Sequence, residues 1–395
     1  MPADNPEDTT PPLHAQAAGW IDRVIASAEI VAGHRGLIDD GLRARIHRQL
    51  SAIVPDGRAG PEALNQIRKI ICRRIELLAD RTAYPAIAEE RIERPIFVIG
   101  AGRTGTSLLQ SLLAQDPASR SPTWLDTHRP SPPPGHAAPT AMARRLALRE
   151  LEDLLDMAPG LLRLHPYWDA GNEALIEDEE IFTLDFHNAY PSLLYHVTAV
   201  TNGVGAADPA AAYAFHHDFL QQLQWRQPAR HWVCKGVYHQ WGLEALLRQY
   251  PDAQCIWPHR DPAQVYPSVL AIIATLYGPI TNWTIDLKAV ARAALERTAL
   301  GLEKALANPF IDDPRVFHVD FRELARDPVA LIGKAYAQWN RPVTAQFEAA
   351  MRGWLASPAN RPDRYGRHGY DLAPFGIDPD EIDALFGSYR ERFCK

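Results

Sequence analysis

Cysteine is scarce in this sequence, and the few cysteines that it has are scattered. The 395 residues include Cys72, Cys234, Cys255 and Cys394. No two of these have the spacing of a metal site or of a disulfide framework. We therefore expect reduced thiols, a cytoplasmic protein and a reaction that needs no metal ion.

Long apolar runs and an excess of basic charge are also missing. No apolar run approaches the ~18 residues needed to span a bilayer, and the N-terminus lacks the basic start and apolar core of a signal peptide. The formal net charge is −7, whereas general binding of nucleic acid or of anionic membranes needs a basic field. We expect no nucleic-acid partner and no transmembrane segment, with peripheral membrane contact left open. Any anionic ligand must be held by a local cluster of positive groups.

The chain divides into three parts by its pattern of apolar residues. Residues 1–12 are polar and contain several prolines, which predicts a disordered tail. Residues 13–90 contain three stretches with apolar residues at helical spacing, which predict an N-terminal helical region. In residues 91–395 short apolar runs alternate with helical stretches, and this alternation predicts a parallel sheet flanked by helices. The expected fold class is therefore α/β, with one large domain after the helical region.

A glycine-rich segment, 100–107, follows the first predicted strand and has the sequence G-A-G-R-T-G-T-S. As G-x-G-x-x-G it partly fits the dinucleotide-binding fingerprint, but no acidic residue for the ribose follows about 20 residues later. As a P-loop it has Thr106 where kinases and NTPases need a lysine. An NAD-dependent oxidoreductase, a nucleotide kinase or NTPase, and a non-catalytic nucleotide-binding protein stay open as alternatives.

A third interpretation moves the positive charge of the loop to Arg103. Its planar guanidinium can donate to two oxygens at once. Thr104, Thr106 and Ser107 add hydroxyl groups beside backbone N–H groups at the start of a helix, where anions bind favourably. This arrangement suits a phosphate that adjoins a sulfuryl group.

The stretch 94–109, R-P-I-F-V-I-G-A-G-R-T-G-T-S-L-L, resembles the 5′-phosphosulfate loop of sulfotransferases that use 3′-phosphoadenosine 5′-phosphosulfate (PAPS). It is most similar to the bacterial branch with the loop P-R-T-G-T-T-L-L, although Gly102 replaces the usual Pro and Ser107 the usual Thr. The resemblance implies a P-loop-like fold and an enzyme that moves a sulfuryl group from PAPS to a hydroxyl of a small-molecule, lipid or sugar acceptor, releasing PAP. It implies that the donor binds at Gly102, Arg103, Thr104, Gly105, Thr106 and Ser107.

Segment 257–268, W-P-H-R-D-P-A-Q-V-Y-P-S, resembles the family's 3′-phosphate element. The resemblance implies that Arg260, at the end of a strand, and Ser268, about two turns into the next helix, hold the 3′-phosphate. The alternative for Arg260 is a surface ion pair with Asp261.

Segment 232–239, W-V-C-K-G-V-Y-H, resembles the family's W-V-L-K-S-P-x-H, with Gly-Val in place of Ser-Pro. Lys235 is then expected at a strand end, at the carboxyl edge of the sheet where α/β proteins bind ligands. His239 is expected at the start of the following helix, where it could face the active cleft. A structural or surface position is the alternative for a single histidine.

Near the C-terminus, residues 367–376, R-H-G-Y-D-L-A-P-F-G, resemble the family's K-H-x-Y-S-L-x-x-F-G segment. The resemblance implies that Arg367 and His368 belong to a basic loop that closes over the 3′-phosphate and the adenine. Alternatively, Arg361, Arg364 and Arg367 are solvated surface charges.

Sulfuryl transfer needs a base for the acceptor hydroxyl and positive charge near the leaving phosphate. The acidic run 177–180, E-D-E-E, precedes an apolar stretch at a place where the family often has such a cluster. Glu179 aligns best with the family's recurrent glutamate and Glu180 next, so the expected base is Glu179, Glu180 or His239. Arg103 and Lys235 are expected to stabilise the leaving phosphate. The alternative for the acids is a solvated cap at a helix start.

Overall fold

The computed structural model describes residues 13–53, 60–187, 208–227, 231–280, 286–361, 363–366 and 372–394. Within them, a parallel sheet of five strands forms the centre of the fold, in the order β2-β3-β1-β4-β5. The strands are β1 (Ile96–Ile99), β2 (Ser119–Arg120), β3 (His231–Gly236), β4 (Gln254–His259) and β5 (Val316–Asp320). The predicted α/β fold with a helix-flanked parallel sheet is confirmed. The predicted tail, residues 1–12, lies outside the described residues.

The first strand, β1, pairs with β3 on one side and with β4 on the other. All four residues of β1 are buried, as expected for a parallel strand that is covered on both faces. Because side chains alternate between the faces of a strand, Phe97 and Ile99 belong to one apolar cluster and Ile96 and Val98 to another. The loop that follows β1 therefore leaves the sheet at its middle.

Three amphipathic helices precede the sheet: α1 (Leu13–Ala32), α2 (Asp40–Ile53) and α3 (Pro61–Ala83). A proline begins α3, at a position where its missing N–H costs no helical hydrogen bond. Ile67 of α3 lies in the same apolar cluster as Phe97 of the sheet. The helices thus pack against the sheet and do not form a core of their own. The division predicted at residue 90 stays a prediction.

The remaining helices cover both faces of the sheet. They are α4 (Thr106–Leu113), α5 (Trp124–His128), α6 (Ala141–Met157), α7 (Leu161–Leu164), α8 (Glu179–Leu184), α9 (Pro209–Gln224), α10 (Leu243–Gln249), α11 (Pro262–Ile280), α12 (Leu287–Leu306), α13 (Phe321–Arg326), α14 (Pro328–Gln338), α15 (Ala345–Ala356) and α16 (Pro379–Phe393). Short 3₁₀ turns lie at Pro85–Glu89, Pro166–Glu173, Tyr238–Gln240, Pro358–Asn360 and Ala373–Phe375. No helix in the described part of the chain is both long enough and apolar enough to span a bilayer.

Asp-Pro pairs start several of these helices. Asp208, Asp327 and Asp378 each accept a backbone N–H bond with the side chain, and the proline that follows each of them occupies the first turn. The aspartate satisfies an N–H group that has no partner within the helix, and the proline has the φ angle that a helix needs. These short signals in the sequence therefore set where α9, α14 and α16 begin.

Candidate active site

The loop between β1 and α4 is held in an unusual backbone conformation. Arg103 and Gly105 have φ angles of 68° and 94°, in the left-handed region that glycine tolerates best. A Cβ atom on Gly105 would lie 2.5 Å from Leu324 Cδ2. Thr104 Oγ1 donates to the carbonyl of Ala101 at 2.7 Å. Gly105 is the N-cap of α4, so the first N–H groups of that helix, which lack intrahelical partners, lie at the end of this loop.

Arg103 connects this loop to the element after β4. Its Nε donates to Ser268 Oγ of α11 at 2.8 Å, and its Nη1 donates to the carbonyl of Leu164 at 2.7 Å. Arg260 directly follows β4; its Nη1 donates to the Arg103 carbonyl at 3.3 Å, and its Cζ lies 4.4 Å from the centroid of the Phe321 ring. The two elements predicted to hold opposite ends of the donor are therefore in direct contact.

Lys235 lies near the end of β3, the strand next to β1, and its side chain is buried. Its Nζ donates to Ser107 Oγ at 3.2 Å and to Glu177 Oε1 at 2.6 Å. Burial alone would raise the pKa of Glu177, but the positive charge of Lys235 outweighs it and lowers the pKa. Glu177 keeps 21% of its side chain exposed. It is thus an ionised, accessible carboxylate that shares a lysine with the loop.

The two glutamates that begin α8 have different partners. Glu179 Oε1 accepts the backbone N–H of Tyr238 at 2.6 Å, and Glu180 Oε2 accepts the hydroxyl of Thr127 at 3.1 Å. Burial, with the negative charge of Glu177, raises the pKa of Glu179 to about 8. Burial likewise raises the pKa of Glu180 to about 8. Both carboxyl groups are therefore mostly protonated at neutral pH.

His239 lies fully buried at the turn after β3. Its Nε2 is 2.9 Å from Asp178 Oδ2, and its Nδ1 is 2.8 Å from the hydroxyl of Tyr213. The backbone N–H of Asp178 donates to the carbonyl of Lys235 at 2.7 Å. Since both ring nitrogens of His239 are engaged, this geometry suits a residue that holds the end of β3 in place. Its predicted role as the base stays a prediction.

A second buried histidine, His216, contacts the same aspartate. Its Nε2 is 3.0 Å from Asp178 Oδ2, and its Nδ1 is 2.7 Å from the hydroxyl of Tyr250. Among the described residues, Asp178, His216 and Cys234 are the one group of three or more whose potential metal-ligand atoms lie within 4.8 Å of one another. Hydrogen bonds already engage both nitrogens of His216, so they account for this cluster without an ion. The predicted absence of a metal stays a prediction.

His165 is a site residue that the sequence did not single out. It is half-buried, and burial lowers its pKa to about 4, with Lys235 and Arg103 acting in the same direction and Glu177 against it. The imidazole is therefore neutral at pH 7 and lies close to both cations. No motif marks this histidine. Its position becomes visible only in the fold, where the neighbouring Leu164 carbonyl accepts from Arg103.

Arg367 and His368, predicted to close over the donor, lie outside the described residues. Arg364, just before them, donates to Asp169 from Nε at 3.0 Å and from Nη2 at 2.8 Å. It also donates to the carbonyl of Pro166 at 2.6 Å. Arg364 is therefore not a free solvated charge. It anchors the C-terminal part of the chain to the turn that follows His165.

A parallel sheet whose middle strand ends in a loop that carries a cation is suited to enzymes that transfer groups from anionic donors. Within that class the comparison with known families is specific. The model of the Sulfotransferase family matches residues 95–345, from the start of β1 to the start of α15, so the chain belongs to the sulfotransferase family. It is an enzyme of sulfuryl transfer, and the family and activity predicted from the sequence are confirmed.

Relatives with solved structures share this fold over nearly their whole length. The crystal structure of the sulfotransferase STF9 from Mycobacterium avium superposes with a TM-score of 0.81 at 26% identity, over 99% of this chain and 98% of that chain. The sulfotransferase STF1 from Mycobacterium tuberculosis superposes with a TM-score of 0.76 at 22% identity, over 93% of this chain and 98% of that chain.

A further relative is similar in sequence. The omega-hydroxy-beta-dihydromenaquinone-9 sulfotransferase Stf3 of Mycobacterium bovis is 23% identical over 295 residues, which are 70% of each chain.

Proposed function

We propose that the protein transfers the sulfuryl group of PAPS to a hydroxyl group of a small-molecule acceptor and releases PAP. The observation that carries this proposal is the contact of Arg103 with Ser268, and of Arg260 with the carbonyl of Arg103. Loop 102–107 offers N–H and hydroxyl groups to the 5′-phosphosulfate, and Arg260 with Ser268 offers donors to the 3′-phosphate. Sulfotransferases generally use PAPS, which supports the same donor here.

The positive charges are placed to assist the leaving group. In the reaction a bond forms between the acceptor oxygen and sulfur, the bond between sulfur and the bridging oxygen of the phosphate breaks, and the hydroxyl proton passes to a base. Lys235 Nζ is 3.2 Å from Ser107 Oγ, within the loop that would hold that phosphate. A cation there stabilises the negative charge that develops on the bridging oxygen. Arg103 would act on the same phosphate from the loop itself.

Glu177 is the base that we favour. It is ionised because Lys235 lowers its pKa, whereas Glu179 and Glu180, with pKa values of about 8, are mostly protonated at neutral pH. When the phosphosulfate takes over the hydrogen bond of Lys235, Glu177 loses part of that stabilisation. Its pKa then rises, and the carboxylate becomes a better proton acceptor.

The state of the cysteines supports the proposed cytoplasmic location. All four cysteines lie among the described residues and none forms a disulfide. Thiols stay reduced in the cytoplasm, where disulfides are rare. The acceptor of Stf3 is named as a hydroxylated menaquinone derivative. For this chain we propose only that the acceptor is a small molecule that carries a hydroxyl group.

Replacement of Arg103 by alanine tests the donor proposal. The change removes two hydrogen bonds and the only cation within loop 100–107. We expect PAP to bind roughly 100-fold more weakly, because charge-assisted hydrogen bonds to phosphate are lost, and sulfuryl transfer from PAPS to fall below detection. Isothermal titration with PAP and a transfer assay with labelled PAPS measure the two effects.

The matched control is Arg248→Ala, because Arg248 is an exposed arginine of α10 whose partner is Glu244. This variant should bind PAP as the wild type does. Titration with ATP separates this function from a kinase or NTPase. Tighter binding of ATP than of PAP by the wild type would contradict the proposal.

A further inference from the structure

A cavity of about 470 Å³ lies beside the acidic cluster, on the side of the N-terminal helices. Side chains of α3, α5, α6, α8 and the turn Pro166–Glu173 form its walls. The apolar part of the lining consists of Ile70, Trp124, Leu154, Met157, Trp168 and Leu184. Cavities of this size and character typically bind small molecules.

The charged groups of this cavity leave it without an excess of basic side chains, because its lining contains Lys69 and Arg73 together with Glu62, Glu150 and Asp153. Glu150 forms ion pairs with Arg73 and with Arg129, the latter at 3.1 Å, and lies 3.7 Å from Lys69. Burial alone would raise the pKa of Glu150, but Arg73 first among the neighbours lowers it to about 2. These cations therefore already have an anionic partner within the protein. With the further acids of the lining, the cavity has no excess of basic groups that would attract an anionic acceptor.

Aromatic rings and a neutral carboxyl group form the inner part of the cavity. Trp124 stacks on His128 with the ring centroids 3.6 Å apart, and burial holds the pKa of His128 well below its ordinary value. Glu180 lines the same space and is protonated at neutral pH, since burial raises its pKa to about 8. The cavity thus combines uncharged rings with one carboxyl group that can donate a hydrogen bond.

The inner end of the cavity is connected to the reaction centre through two residues. The ring of Trp168 lies 5.5 Å, centroid to centroid, from that of His165, whose pKa responds to Arg103 and Lys235. Glu180, on the adjacent wall, is three residues after Glu177, and the pKa of Glu180 responds to the charges of Glu177 and Lys235. One end of the cavity therefore lies next to His165 and within electrostatic range of Glu177 and Lys235.

We infer that this cavity binds the acceptor and that the acceptor is an uncharged alcohol with a mainly hydrocarbon skeleton. Its hydroxyl group lies toward Glu177 and Glu180, and its skeleton lies between the two tryptophans and α6. A mainly hydrocarbon skeleton matches the apolar side chains that the tryptophans, α6, Ile70 and Leu184 contribute to the lining. The inference rests on the proposed function and adds the class of acceptor to it.

Cavity-filling substitutions on α6 test the site. Leu154→Trp and Met157→Trp place an indole in the cavity, whereas Leu146→Trp adds the same ring at a position of α6 that is 48% exposed. Isothermal titration measures the binding of farnesol, an apolar alcohol, and separately of PAP. We expect the two cavity variants to bind farnesol at least about tenfold more weakly. Their affinity for PAP should stay within about twofold of the wild type, as should both affinities of Leu146→Trp.

The outcomes separate the acceptor site from the donor site. Farnesol binding that survives both cavity-filling substitutions would overturn the site, and sulfation of maltose by the wild type in preference to farnesol would overturn the acceptor class. If the wild type does not bind PAP, but farnesol binding is still lost in Leu154→Trp, the proposed donor fails while the cavity is supported.

A photolabel gives a measurement that does not depend on any substitution. A farnesol analogue that carries a diazirine is photolysed on the wild-type enzyme, and the labelled peptides are identified by mass spectrometry. Label on peptides of α3 or α6 supports the site, whereas label confined to other parts of the chain overturns it. Photolabelling tests the location of the site even if a tryptophan variant fails to fold.

Discussion

Two regions of the molecule lie next to the acidic run 177–180, and they are built in different ways. On the donor side, loop 100–107 and segment 260–268 follow β1 and β4, which are neighbours in the sheet. Parallel pairing alone therefore brings them to one edge. On the acceptor side, the cavity takes its walls from residues between Glu62 and Leu184, so four helices and a turn must pack together before it exists. The proposed donor site thus depends on the sheet, whereas the proposed acceptor site depends on helix packing.

The largest effect is expected where the two sides meet. Glu177→Gln keeps the size of the side chain and an acceptor for Lys235, but it removes the proposed base. We expect kcat to fall by roughly 10² to 10⁴, with little change in the affinity for PAP or for the acceptor. Steady-state kinetics and titration with PAP measure the two sides separately.

Glu173→Gln is the control for this substitution, since Glu173 is an exposed glutamate with 68% of its side chain accessible. It should keep the wild-type kcat. A small loss in Glu177→Gln together with a large loss in Glu179→Gln would transfer the role of base to Glu179, the residue that the sequence favours.

A smaller effect is expected from a change that acts on the donor side alone. In Gly105→Ala the added Cβ atom would lie 2.5 Å from Leu324 Cδ2, and residue 105 itself has a φ angle of 94°. We expect the free energy of unfolding to fall by about 1–3 kcal/mol, because the loop must shift or remain strained. PAP binding should weaken, while farnesol binding by the folded variant should be retained. Urea unfolding and titration measure these effects.

Gly102→Ala is the comparison for stability, because a Cβ atom at Gly102 would meet nothing within 4 Å. It should cost clearly less stability than Gly105→Ala. Equal losses in the two variants would show that the fold does not require glycine specifically at position 105.

The smallest effect, taken per pH unit, concerns the proposed acceptor side. The pKa of Glu180 is about 8 in the folded protein, above its ordinary value of 4.5, so the native state holds this proton more tightly than the unfolded chain. The stability that results is complete below pH 4.5 and is lost as the pH rises through about 8. We expect the free energy of unfolding to fall between about pH 4.5 and pH 8, by at most about 1.4 kcal/mol per pH unit from this group.

Glu180→Gln should flatten this fall, because glutamine does not ionise. Part of the slope should remain, since burial also raises the pKa of Glu179 to about 8. Urea unfolding at a series of pH values measures how steeply the free energy of unfolding falls with pH in the wild type and in the variant. If the slope of the variant equals that of the wild type, Glu180 does not carry a proton in the cavity.

How much of this structure can be predicted from the sequence depends on how far apart along the chain the contacting residues lie. Arg103, Arg260 and Ser268 lie in contiguous strand–turn–helix segments, so their approach follows from local pattern and parallel pairing. The amphipathic helices before the sheet follow in the same way from the spacing of apolar residues. By contrast, the pairing of Glu177 with Lys235 joins residues 58 positions apart. Which acid of the run 177–180 makes that pair depends on where α8 begins in the packed structure, and no motif encodes it.

The histidines show the same limit. The motif of His239 places this residue near the end of β3. The direction of its side chain depends on Asp178 and Tyr213, which lie on other elements. His165 has no motif at all, and it lies near the centre because the end of α7, at Leu164, packs beside loop 100–107. Such positions are properties of tertiary packing, which periodicity and spacing do not describe.

The order of the strands has a further consequence. From β1 the chain passes to β2 and β3 on one side of the sheet and then crosses to β4 and β5 on the other. Arg103 therefore comes from one half of the polypeptide and Ser268 from the other. A gene divided between α10 and β4 would encode two pieces, of which the first contains Arg103 and the second contains Arg260 and Ser268. Neither piece alone would contain the whole proposed donor site, so we expect activity to return only on reassembly, which is the property required of a split reporter.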